Sequence, residues 1–393
     1  MYALTNKIIM MKKSLAAVAV LTALSTCAVA ADLELYGVID TGFTYTHGYD
    51  DSRNTFEMST GNYAGSRFGL RGSEKLDETL TVSFVIEGGF NSDTGAYAED
   101  GKIFNRESQI NISGPWGTLG FGRVGAFVSG SSSTGWFWDM DPFETGYTDA
   151  GLQGTQVNVW RLNSNTVYYV SPVFKGFKLG VQHSFTGAND TEAVRQGDNN
   201  TFTNAALRWD GATARAMVAA TMETFGDNEQ WQNTAAGGEK FSTRRDNAYE
   251  FKIAGAWQPN AGPLTVYVGA SYFKNYTTFS DSSWDDDGDV NYDRDSSRRL
   301  DGYSLYLAGK YTVGAADLLA SVQYQDGENK GGDGSQESDF KRYVAALGCH
   351  YHFSPNTMLY AVASYADGTG LYNALASTET DRLSAHLGLT HYF

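Results

Sequence analysis

Residues 79–90 read TLTVSFVIEGGF. Leu80, Val82, Phe84 and Ile86 fall on one parity, and Thr81, Ser83 and Glu87 on the other. Successive side chains of an extended chain point to opposite faces, so this stretch predicts a strand with one apolar and one polar face. The same alternation sets Leu33, Leu35 and Ile39 against Glu34, Tyr36 and Asp40. It returns clearly at 205–210, 214–225, 249–258, 264–276, 302–313, 317–325, 343–353, 358–367 and 382–393, and less cleanly at 104–114 and 166–172.

The connections alternate as well. Short ones at 76–78, 115–116, 173–175, 210–212, 259–262, 313–315 and 354–356 carry the Pro, Gly, Asn and Asp of tight turns. Long ones occupy 47–62, 91–103, 128–160, 187–200, 226–247, 277–300, 327–340 and 368–380. That order predicts an all-β chain, a transmembrane antiparallel barrel of about sixteen strands. Short turns sit at one rim and long loops at the other. Such a barrel is too wide to be filled by its own side chains and encloses a water channel.

Composition agrees. The chain has 29 basic and 45 acidic residues, 22 Phe and 24 Tyr, 44 Gly and only 6 Pro. No apolar run is long enough for a membrane-spanning helix, which alternating strands do not need. Lys12 and Lys13, the apolar run 14–24 and Ala28-Val29-Ala30 read as a signal peptide over residues 1–30, with the barrel domain at 31–393. Removing Lys7, Lys12 and Lys13 from the 29 basic residues leaves a formal charge of −19, which excludes a general nucleic-acid binder. Cys349 alone remains after residue 30, so no intrachain disulfide is expected.

One stretch breaks the alternation. Residues 125–160 read GAFVSGSSSTGWFWDMDPFETGYTDAGLQGTQVNVW. Asp139, Asp141, Glu144 and Asp149 stand beside Trp136, Phe137, Trp138 and Phe143, between strands that carry Arg123 and Arg161. A loop this long is functional or disordered, and these aromatics need something to pack on. The expectation is a constriction folded into the barrel.

Several segments together carry a resemblance. Residues 66–74, SRFGLRGSE, resemble the second-strand signature of general porins of Gram-negative outer membranes, above all the β-proteobacterial type. Leu35-Tyr36-Gly37, residues 117–123 (GTLGFGR) and residues 388–393 (GLTHYF) are similar to the same family. The resemblance implies an outer-membrane homotrimer whose third long loop folds inward, with acids facing wall arginines. Carried over, it places Arg67, Arg106 and Arg161 on the wall with Glu87, and Asp139 on the loop. Asp141 and Glu144 both remain open for the second acid, because Phe143-Glu144-Thr145-Gly146 departs from the family pattern. Phe393 would be the signal read by the outer-membrane assembly machinery.

Parity supports these choices separately. Arg67 and Arg71 alternate with Phe68 and Leu70, and an arginine facing lipid at mid-depth costs about 2–4 kcal/mol. Both therefore face the lumen, and Arg71 and Arg123 join the constriction candidates. In the sixth long loop Asp285, Asp287 and Asp289 give a weak calcium pattern without the distal Glu; a solvated acidic loop is the plainer reading. It offers a bridge through divalent cations to lipopolysaccharide. His350 and His352 share a lumen face, while Cys349 points to lipid. No H-E-x-x-H, G-x-S-x-G or Walker motif occurs, and no cofactor is expected. The reading is a passive channel for ions and small hydrophilic solutes. A surface adhesin or receptor, and a barrel hydrolase, are the alternatives.

Overall fold

The computed structural model describes residues 32–47, 54–99, 101–144, 146–185, 200–226, 230–234, 240–244, 246–276, 299–330, 338–370 and 382–393. The signal segment 1–30 and Asp285, Asp287 and Asp289 lie outside the described residues.

The strands run in chain order. They are β1 (Asp32–His47), β2 (Thr55–Thr60), β3 (Arg67–Lys75), β4 (Thr81–Gly89), β5 (Glu107–Gly114), β6 (Gly117–Gly125) and β7 (Leu162–Val170). Next come β8 (Phe177–Ser184), β9 (Thr201–Asp210), β10 (Ala214–Thr224), β11 (Gln230–Thr234), β12 (Lys240–Arg244) and β13 (Ala248–Trp257). The last are β14 (Leu264–Tyr276), β15 (Leu300–Val313), β16 (Ala316–Asn329), β17 (Ser338–Ser354), β18 (Thr357–Gly370) and β19 (Arg382–Tyr392).

Each barrel strand pairs antiparallel with its neighbours, and β19 pairs with β1 to close the sheet. β2 and β3 share one position: β2 pairs with Thr41–Thr46 of β1 and β3 with Asp32–Val38. With β11 and β12 forming a separate two-stranded sheet, the barrel has sixteen strand positions among the described residues. The β11–β12 pair stands where the sequence suggested only a long connection, 226–247.

The break between β2 and β3 is fixed by a buried carboxylate. Asp40 accepts hydrogen bonds from the backbone N–H of Tyr63 (3.2 Å) and Ala64 (3.1 Å), from Tyr360 Oη (2.9 Å) and from Thr390 Oγ1 (2.8 Å). Four donors replace the water this carboxylate loses.

The wall inverts the burial of a soluble protein. On β13, Phe251 and Ile253 are 57% and 55% exposed, while Glu250 and Lys252 are 1% and 3% exposed. Lipid takes the place of a core outside, and polar side chains turn inward. On β17 the exposed Tyr343 and Tyr351 bracket Leu347 on the outer face. The inward face is not uniformly polar, contrary to the simple alternation. Met217, Ala254, Ala256, Ala308, Leu319, Ala346, Met358 and Val362 also point inward and are buried. They receive the loop described below.

Closure pairs β19 with the later part of β1. The register runs Val38↔Tyr392 to His47↔Leu383, with residues 32–38 given to β3. Gly37 and Phe393 exchange two backbone hydrogen bonds, 3.0 and 3.1 Å, that extend this ladder. Leu387, Leu389 and Phe393 are exposed on the outer face, and His386 and Thr390 are buried on the inner one.

Candidate functional site: the loop inside the barrel and the wall it leaves bare

Residues 126–161 enter the barrel through a narrow neck. Ala126 N–H bonds Arg161 O at 2.9 Å and Gly130 N–H bonds Val159 O at 2.6 Å, so the two limbs leave the sheet side by side. Ser133 then leans on β5: its N–H and its Oγ each donate to the Glu107 carboxylate at 2.6 Å. Phe127 and Trp136 settle on β8. A Cβ on Gly180 would lie 2.7 Å from Phe127 and 2.8 Å from Trp136, so only glycine leaves room for the two rings.

The path then follows the wall. Arg208 of β9 donates to Trp136 O at 2.8 Å and to both oxygens of Asp139 at 2.7 and 2.6 Å. Arg215 of β10 lies 3.4 Å from the same carboxylate. Asp141 accepts from Tyr306 Oη of β15 and from the backbone N–H of Phe143 and Leu152. Tyr147 Oη pairs with His350 Nε2 of β17 at 2.8 Å, and its N–H reaches Asn62 O at 2.6 Å. Asp149 is fully buried and takes guanidinium groups from both Arg342 of β17 and Arg382 of β19. Gln323 of β16 donates to Asp149 O and Gly151 O at 2.7 and 2.9 Å. Asn158 donates to Tyr276 Oη of β14 at 2.7 Å.

Apolar packing reinforces this seat. Phe127, Phe137, Met140, Phe143 and Leu152 are all fully buried. They meet the small inward residues of the wall, Ala206, Ala254, Ala256, Ala308 and Ala346. Polar loop groups therefore find wall partners as the aromatics leave water, which lets a non-periodic segment sit in a channel at little desolvation cost.

The wall from β3 to β5 carries a different arrangement. Arg106 Nε bonds Glu87 at 2.6 Å, Arg67 Nε lies 3.4 Å from it, and Tyr36 Oη donates to it at 3.0 Å. Arg67, Glu87 and Arg106 are thus one cluster of two cations on one carboxylate. Arg71 forms a two-pronged pair with Glu34 at 2.8 and 2.7 Å, nearer the short-turn end of β3. Arg123 lies 3.6 Å from Glu99 and donates to Ser164 at 2.8 Å. Arg161 is buried at the neck, 3.6 Å from Glu223 and above the Phe202 ring.

The expected opposition of loop acids and these arginines takes another form. Asp139 pairs with Arg208 and Arg215, and Asp141 is 2% exposed within the loop. Glu144 accepts from Tyr63 Oη. Burial raises the Glu144 carboxyl above its ordinary range, and the Tyr63 hydrogen bond offsets only part of that. Parity could have flagged Arg208 and Arg215, which flank a tight turn on inward positions; their partners on the loop lie far off in sequence. His350 and His352 take separate partners, Tyr147 and Asp317, and no metal-ligand group occurs among the described residues.

Comparison with known proteins follows this geometry. A family model described as Gram-negative porin matches residues 16–371. An outer membrane porin protein of Bordetella pertussis is 30% identical, over 98% of this chain and all of its own length. Outer membrane porin protein 32 of Delftia acidovorans is 28% identical over the same shares. Among solved structures, the anion-selective porin from Comamonas acidovorans superposes with a TM-score of 0.63 at 18% identity, covering 92% of this chain and 100% of that one. At that identity the likeness is one of fold.

Proposed function

The chain belongs to the Gram-negative porins of the outer membrane, and from that premise we propose a passive diffusion channel for ions and small hydrophilic solutes, narrowed by residues 126–161. The observation that carries the proposal is the uneven cover of the inner wall. The loop has partners from β5 round to β19 and at Asn62 and Tyr63 ahead of β3, while β3 and β4 themselves present the partly exposed Arg67 beside Glu87 and Arg106. The aperture would lie between that cluster and the loop. Charges at a narrow point, where water is scarce, act more strongly on a passing ion than charges at the rims.

Nothing in this reading turns over a substrate; the pore sorts by size and charge. A homotrimer in contact with lipid and lipopolysaccharide belongs to the same proposal. So does a role for Phe393 in assembly, supported by its ring, which lies so close over Gly37 that a Cβ there would clash with its Cζ. Replacing Phe393 by Ala should lower the yield of assembled barrel and leave the conductance of assembled channels unchanged. The decisive measurement is a planar-bilayer recording of the refolded protein. Discrete current steps that grow in proportion to salt concentration are expected. A folded barrel that passes no current would overturn the proposal.

A further inference from the structure

Within the run Trp136-Phe137-Trp138-Asp139-Met140, three apolar side chains are buried and one is not. Trp136, Phe137 and Met140 are 6%, 0% and 0% exposed; Trp138 is 46% exposed. The turn that carries it, Trp138–Met140, lies against β13 and β14 inside the closed barrel. Its open indole face therefore meets the water of the lumen, not lipid.

Cations gather on the residues either side of Trp138 in sequence. The next residue, Asp139, is held by Arg208 at 2.6 Å and lies 3.4 Å from Arg215. Arg208 is also held by Asp210 at 2.7 Å, so Arg215 shares only Asp139, at the longer distance. Lys178 lies 4.6 Å from the centre of the Trp136 ring. Three cations from β8, β9 and β10 thus face two carboxylates, and the Arg215 side chain keeps 36% of its surface open. Guanidinium groups bind carboxylates in well-defined geometry, and a flat ring gains by stacking on an indole.

We propose that Trp138, with Arg215 and Lys178, forms a binding step for aromatic carboxylates on their way through the channel. The ring of the solute lies on the indole and its carboxylate turns to the cations. This deepens the channel reading and rests on it for the solute's passage.

The test uses the refolded full chain in detergent, with 4-nitrobenzoate as quencher of tryptophan fluorescence. A saturable quench is expected in the wild type and should be lost in W138L, an exposed position where leucine leaves the fold intact. K178Q and R215Q should each weaken it, together by about tenfold. Cyclohexanecarboxylate and benzylamine should compete at least several-fold less well than benzoate. Equal quenching in W138L, or equal competition by benzylamine, would overturn the site. Bilayer current through the same preparations separates the two ideas. Channels that conduct normally but lack the Trp138-dependent quench refute the site alone. A protein that binds but passes no current refutes the channel reading, and with it the passage.

Discussion

The strand wall and the loop it encloses solve the same problem in opposite ways. On the wall, apolar side chains face out and polar ones face in, residue by residue, as Phe251 and Ile253 do against Glu250 and Lys252. In the loop, apolar rings such as Phe137 and Phe143 are buried inside the barrel, against alanines of that same wall. The wall is stabilised by a repeating ladder with lipid outside. The loop depends on single, long-range contacts. One consequence is that the wall should tolerate changes that detach the loop.

The largest expected effect tests that directly. Removing residues 131–148 should raise single-channel conductance several-fold and admit larger sugars, with the barrel still folded by its resistance to detergent on gels. Unaltered conductance in folded channels would mean that the loop does not narrow the pore.

Next comes the buried latch. Asp149→Ala leaves Arg342 and Arg382 facing each other without their carboxylate. Loss of one side of a buried ion pair costs about 3–5 kcal/mol. Flickering currents and faster protease cleavage within 126–161 should follow, with the strands unharmed. If the barrel itself unfolds instead, the separation of wall and loop fails.

A smaller effect concerns charge. Ser at both Arg67 and Arg106 leaves Glu87 without its guanidinium partners and should move the reversal potential toward cations. Asn at Asp139 removes the carboxylate that Arg208 and Arg215 share and should move it toward anions. Shifts in the same direction would sharpen the comparison the other way, by placing only one of the two regions on the permeation path.

The smallest is a pH dependence. The raised Glu144 carboxyl favours its protonated form in the seated loop. That contribution is complete below the ordinary carboxylate range, about pH 4.3, and fades as pH rises through the higher value of the seated state. Loop protection from protease should therefore decline modestly as pH climbs from 4, and Glu144→Gln should flatten the trend. A wild-type slope that persists in the glutamine variant assigns the titration to another group.

Much of this was legible in the chain before any fold was known. Strict alternation in 79–90 and its repeats fixes which side chains meet lipid, because a strand has only two faces and lipid accepts only one chemistry. Alternating short and long connections fix the number of strand positions and the rim from which the loops leave. Lack of alternation marks 125–160 as the exception. The inward positions of Arg67 and Glu87 follow from parity; that of Arg106 does not, because it precedes β5, whose inward residues are Glu107 and Gln109.

The partners of those residues did not follow. Parity says that a side chain points inward but not what it meets across the lumen. Asp139 finds Arg208, sixty-nine residues away in sequence, and Asp149 finds Arg382, two hundred and thirty-three away. Nor could parity explain why Ala254, Ala256 and Ala308 are apolar on an inward face, until the rings of the loop are set upon them. Local sequence determines local geometry, since a strand's faces are set by its own backbone. Which charges neutralise one another, and which tryptophan stays in water, depends on how the closed wall folds the loop back upon itself, and only the tertiary structure decides that.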